Sequence, residues 1–186
     1  MTKYWVIFFL FTGLISWSKP AWRSDSLQAA MPGDTLLWAA DRPLKADDFQ
    51  GNSGTVKTKT HDTIGLSTVG FSYRFELVDE TIKVNCFAYF VRSQSWIKDS
   101  SEHTLVHEQG HFDIEQIYAK QLETIANKNT NTSIDSLLEY VDLEYRKLYR
   151  ECARAHLEYD MYATHPSAYM RKLKWIDEQL RMLNLK

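Results

Sequence analysis

The chain has 186 residues, with 22 Lys and Arg against 24 Asp and Glu, for a formal net charge of −2. That length can bury one proper core, and a near-neutral balance without a basic stripe excludes nucleic acid as the expected partner. With 10 Tyr, 9 Phe and 6 Trp the sequence is that of a folded protein and not a disordered one.

The N-terminus reads Met1-Thr2-Lys3 and then Tyr4 to Trp17, almost wholly apolar. One positive charge before about 14 apolar residues fits a secretory signal, and falls short of the roughly 20 residues of a membrane span. Cleavage is expected after Ser18, with a site near Ala30 or an uncleaved anchor as alternatives. Residues 19–34 then read as leader or linker, and 35–186 as a single domain. No Cys follows the apolar run, which argues against a lipoprotein anchor. The expected location is exported, periplasmic or secreted, with no stable membrane insertion after cleavage. Export matters for Cys86 and Cys152, which would meet an oxidising compartment. A bridge between them would stabilise by roughly 4 kcal/mol in the chain-entropy model. Two buried free thiols are the other reading. Neither Cys belongs to a C-x-x-C pair, so both are weak zinc ligands.

Thr35 to Ala40 reads as a first strand, and Asp41 to Gly51 as a turn with a short helical segment. Asn52 to Thr60 is polar loop. Ile64 to Leu77 carries Val69, Phe71, Tyr73 and Phe75 on one parity, the period-two signal of a strand. Asp79-Glu80 suits a hairpin turn. Ile82 to Val91 is apolar on both parities and is expected to be covered on both faces. Ser100 or Ser101 caps a helix from Glu102 to Asn127. After the polar break at Asn129 to Thr132, Ser133 caps a second helix. Its stripe holds Ile134, Leu137, Leu138, Val141, Tyr145, Leu148, Cys152 and Tyr159, and it ends near Thr164, before Pro166. A third helix runs from Ser167 to Asn184 on Tyr169, Leu173, Ile176, Leu180 and Leu183. Strands first and helices after imply an α+β fold: a small antiparallel sheet, a long motif helix and two further helices.

The stretch with chemistry in it is His107-Glu108-Gln109-Gly110-His111. On a helix, residues four apart share a face, so both imidazoles can reach one ion. Zinc takes neutral imidazoles and keeps an open position when catalytic. Glu108 follows the first His directly and is placed to accept a proton from water polarised by the metal. Leu105, Val106, Phe112 and Ile114 surround the motif, as expected for a helix with a buried flank. Gly110 costs about 1 kcal/mol against Ala in mid-helix, which points to close packing or a need for room beside a site.

A catalytic zinc takes three protein ligands. His165 is assigned as the third, from a helix-to-loop junction that can swing toward a neighbouring helix. Asp160 is the alternative, as ligand or as a carboxylate holding a His ring. Glu115 is a further one, about 80° round the helix from His107. His103 lies near a fraying end and reads as solvated. His61 and His156 read as ordinary surface or core residues. Tyr159 and Tyr162 lie near the same junction, either as oxyanion donors or as core aromatics.

The residues together resemble the DUF922 group of predicted secreted zinc-dependent proteases. Trp38, Arg42-Pro43-Leu44 and Asp48-Phe49-Gln50-Gly51 are similar to its opening pattern. Ala88 to Lys98 resembles the segment before its motif helix, and His107 to Ile114 its H-E-x-G-H-F-D-I core. Tyr159-Asp160 with Thr164-His165 resembles its C-terminal element, except that Pro166 stands where that element has Gly. The resemblance spans Leu36 to His165 and implies a zincin-like metallopeptidase with peptide or protein as substrate. It adds weight to His165 and Asp160. The expected site is zinc on His107, His111 and His165, with Glu108 as general base and the strand Ile82 to Val91 edging the cleft. A zinc amidase acting on cell-wall peptide and a non-catalytic, metal-stabilised module of the cell envelope are the rival readings. Oligomeric state is not legible in the sequence.

Overall fold

The computed structural model describes residues 33–52, 64–78, 81–128 and 133–185. The expected signal, His61, the Asp79-Glu80 turn, the break at 129–132 and most of the loop after Asn52 lie outside those residues. The elements in chain order are β1 (Thr35–Leu37), β2 (Gly65–Leu66), β3 (Val69–Val78), β4 (Thr81–Val91) and β5 (Trp96–Ile97). They are followed by α1 (Glu102–Ala126), α2 (Ile134–Ala163) and α3 (Pro166–Met182). The fold is α+β, with a small antiparallel sheet and three helices. Among the described residues no helix is long and apolar enough to cross a membrane.

The sheet has the order β1-β4-β3, antiparallel throughout. The expected strand from Ile64 is two elements, because the chain leaves the ladder at Ser67-Thr68. There the Thr68 amide donates to Ser95 Oγ at 2.9 Å and its carbonyl accepts from the Val91 amide. β2 pairs instead with β5, Gly65 opposite Ile97. On β4 the residues Val84, Cys86, Ala88 and Phe90 are buried against the helices, while Phe87, Tyr89 and Val91 are half-buried.

β4 is the central strand, not a cleft edge, and this corrects the expected substrate-binding role for Ile82 to Val91. β1 pairs only with Tyr89 to Val91 of its outer side. Below that point α1 closes the strand with side chains. Gln116 Oε1 accepts from the Ala88 amide, Glu123 Oε2 from Cys86, and Asn127 Oδ1 from Val84, at 2.9–3.1 Å. Asn127 also donates through Nδ2 to the Val84 carbonyl at 2.7 Å. Unpaired main-chain groups at such an edge are costly when buried, so polar residues on the helix flank that faces it have a physical reason.

The segment after β1 binds the same helix. Trp38 Nε1 and Gln109 Nε2 both donate to Asp113 Oδ1 at 2.7 Å, and Gln109 Oε1 accepts from the Leu44 amide. Arg42 holds Asp48 with both terminal guanidinium nitrogens. Phe49 meets Phe90 edge-on at 5.2 Å. The Gly51 amide donates to the Ser95 carbonyl at 2.7 Å, where a Cβ would stand only 2.8 Å from that oxygen. These contacts fasten the segment after β1 onto α1 and β4.

The helices begin where their caps stand. Ser101 Oγ accepts from Thr104 N and Ser133 Oγ from Ser136 N. α2 buries Leu137, Val141, Leu148, Cys152, Ala155 and Tyr159, while Ile134 and Leu138 of the expected stripe are exposed. α3 starts at Pro166 itself, in the first-turn position that a residue without an N–H tolerates best. Cys86 and Cys152 are both free and buried. Burial pushes both thiols upward, helped by Glu123 at Cys86 and Glu115 at Cys152.

Candidate metal centre

α1 and α2 run antiparallel and meet along two ladders of residues spaced by four. α1 contributes His107, His111 and Glu115. α2 contributes Cys152, His156 and Asp160. At one end, His107 Nε2 lies 3.3 Å and His111 Nε2 2.9 Å from the same oxygen, Asp160 Oδ1. The ligand atoms of these three residues all lie within 4.8 Å of one another. The edge of a zinc tetrahedron with arms of about 2.05 Å is about 3.3 Å. The His107–Asp160 separation already has that value, and His111 must open by about 0.4 Å. Two imidazoles and one carboxylate are a donor set that zinc accepts, so the residues fit the ion.

The set is open on one side. The His107 and His111 side chains are 19% and 13% exposed, and Asp160 is 56% exposed. Burial opposes the Asp160 charge, yet hydrogen bonds to His107 and His111 hold its carboxyl well below the usual range. His107 is stacked on Tyr159, with centroids 4.9 Å apart and planes at 9°, and His111 meets the same ring edge-on. Tyr159 is fully buried and its hydroxyl bonds to that of Tyr169 at 3.2 Å. Burial first, then the Tyr169 contact, raises its pKa. Tyr159 therefore packs against and aligns both imidazole rings from a fully buried position. Gly110 faces this phenol: a Cβ there would lie 2.5 Å from Cζ and nearer still to Oη. The mid-helix glycine is a packing requirement.

Glu108 is buried on another flank of α1, 3% exposed. Ser67 Oγ donates to its Oε2 at 2.6 Å. Gly65 makes room for the other oxygen, since a Cβ there would come within 2.5 Å of Oε1. Ser67, just after β2, thus holds one carboxylate oxygen, and the other lies against Gly65 of β2.

His165 is not among the three gathered residues. It is the exposed N-cap of α3, at φ −125° and ψ 96°. Pro166 restricts the residue before it to extended backbone and starts a new helix, so His165 serves that junction. Asp160, one turn earlier on α2, stands where His165 was expected. Glu115 lies at the other end of the seam, against His156. His103 is exposed in the first turn of α1, 5.8 Å from the Tyr169 ring, and Tyr162 is 37% exposed. His156 is the residue that sequence reasoning passed over. Its signal was the spacing of Cys152, His156 and Asp160, which repeats that of His107, His111 and Glu115.

Comparison with family models, with curated proteins and with solved structures found no match.

Proposed function

We propose that this chain is an exported zinc-dependent hydrolase that cleaves peptide bonds, with zinc held by His107, His111 and Asp160. The observation that carries the reading is the convergence of both His Nε2 atoms on Asp160 Oδ1, one residue from a buried carboxylate at Glu108. When bound, the ion supplies a Lewis acid and acidifies water. Glu108 supplies the proton traffic: Oε2 is held by Ser67, and Oε1 takes a proton from attacking water and returns it to the departing amine. Tyr159 keeps water from the inner side of the rings.

The test is a comparison of parent and Glu108→Gln for zinc content and for hydrolysis of a mixed peptide library. The parent should carry one zinc per chain and cleave. The variant should keep the zinc and lose cleavage by at least about 100-fold, the usual worth of a general base. A parent with zinc but no hydrolysis of peptides or of cell-wall peptide would favour the second reading, a non-catalytic module. That reading draws on the fact that the three donors come from both α1 and α2 and would tie them together.

A further inference from the structure

The seam continues past the donor set. His111 Nδ1 lies 2.8 Å from His156 Nδ1, and His156 Nε2 lies 2.9 Å from Glu115 Oε1. The two rings are stacked with centroids 5.0 Å apart. Glu115 is 7% exposed, and the Cys152 thiol lies beside its carboxylate.

Each link in this row needs one hydrogen, and the ends decide where it sits. An ionised carboxylate only accepts, so the hydrogen beside Glu115 belongs to His156 Nε2. A neutral His156 then has a lone pair at Nδ1. The hydrogen between the two Nδ1 atoms must therefore belong to His111. With an ion between His111 Nε2 and Asp160, that leaves the His111 lone pair on Nε2 for the metal; without one, Nε2 instead donates to the Asp160 carboxylate.

We propose that His156 and Glu115 are positioning residues that lock His111 in the tautomer presenting Nε2 to the metal. The proposal rests on the zinc reading above. Metal-bound imidazoles generally need such a partner to fix ring and tautomer. Here the carboxylate acts through an intervening imidazole, which spans the distance from α1 across to α2 and back. His107 lacks the arrangement: its Nδ1 is buried with no partner among the described residues, and the Tyr159 stack holds its ring instead. The row thus orients one of the two histidine ligands.

A competing use of the same atoms sharpens the claim. Glu115, Cys152 and His156 also bring ligand atoms within 4.8 Å of one another. An ion there would take the His156 Nε2 lone pair and shift that ring's hydrogen to Nδ1. His111 would then accept at Nδ1 and carry its own hydrogen on Nε2. With neutral rings the two donor sets exclude each other, and the row decides between them.

Nitrogen-15 spectra of the histidine rings in the zinc-supplied full chain, with zinc titrations of parent, His156→Leu and His156→Asn, test this. In the parent, His111 Nδ1 should be protonated and His156 Nδ1 should be the bare, accepting nitrogen. His156→Leu should weaken zinc about 10–100-fold. His156→Asn, whose carbonyl can accept at the Nδ1 position, should restore most of that. A hydrogen found on His156 Nδ1 would overturn the proposal. So would equal zinc affinity in parent and His156→Leu, or a zinc lost on Cys152→Ser but kept on Asp160→Asn. A parent that takes up no zinc would instead sink the metal reading itself, and the relay with it.

Discussion

Replacing Gly110 by Ala sets two known effects against each other. Ala is favoured over Gly in a helix interior by about 1 kcal/mol, so an empty site would gain stability. At position 110 the new methyl would stand 2.5 Å from Tyr159 Cζ and 2.9 Å from Cε1, inside the usual carbon–carbon contact of about 3.5–4.0 Å. Relief needs a movement of about 1 Å. Tyr159 is fully buried, hydrogen-bonded to Tyr169 and stacked on His107, so it cannot swing aside freely. Overpacking of this kind costs about 1–3 kcal/mol. The net expectation for Gly110→Ala is a loss of up to about 2 kcal/mol, or up to roughly 8 °C in Tm for a chain of this size. Asp160 follows Tyr159 directly, so zinc affinity should fall too, by about tenfold or more. Urea unfolding and zinc titration read the two effects. Adding Tyr159→Phe should recover part of the stability, because the Oη contact disappears while that to Cζ remains. A Gly110→Ala protein as stable as its parent, with unchanged zinc affinity, would refute the packing argument.

Three further outcomes follow from named contacts. Asp160→Asn should lower zinc affinity at least tenfold, while His165→Ala should leave it within about twofold; the reverse ranking in calorimetry would return the third ligand to the helix junction. Asp48 is buried, which opposes its charge, but Arg42, the Lys45 amide and the Arg92 charge hold its carboxyl below the ordinary value. A depressed folded pKa contributes stability above the unfolded value of about 3.9 that is lost as pH falls through the folded one. Asp48→Asn should therefore cost about 1–3 kcal/mol at pH 7, and the gap should narrow below about pH 4 in acid titrations of stability. Asn127→Ala strips partners from both main-chain groups of Val84 and should cost about 2 kcal/mol in urea unfolding; a loss under half of that would mean water replaces the side chain.

The helices were legible because their signals are local. Ser101 and Ser133 cap where serines were read as caps, and the three helices end within a residue or two of the periodic pattern. The break between β2 and β3 was not legible, since it depends on Ser95, nearly thirty residues away. Nor was the central place of β4. Its apolar faces signalled cover, but the cover at its edge comes from Gln116, Glu123 and Asn127, which read in sequence as an ordinary polar flank. In the site, His107, Glu108 and His111 stand out through one contiguous motif. The choice between His165 and Asp160 turns on whether α2 carries its carboxylate past the pair before the helix ends. That depends on the antiparallel register of two helices, and Pro166 reverses its local meaning by opening a helix instead of shaping an arm. Gly110 was read correctly as a request for room, though only the fold names the tenant.

The sutures from α1 to β4 make the motif helix part of the sheet's own framework. Both imidazoles ride on that framework, whereas Asp160 and His156 arrive on a helix that meets it across a seam. An ion at the seam would act as a clasp between two leaves. Its removal should loosen amide protons along α2 and α3 and leave those of α1 and the strands slow to exchange.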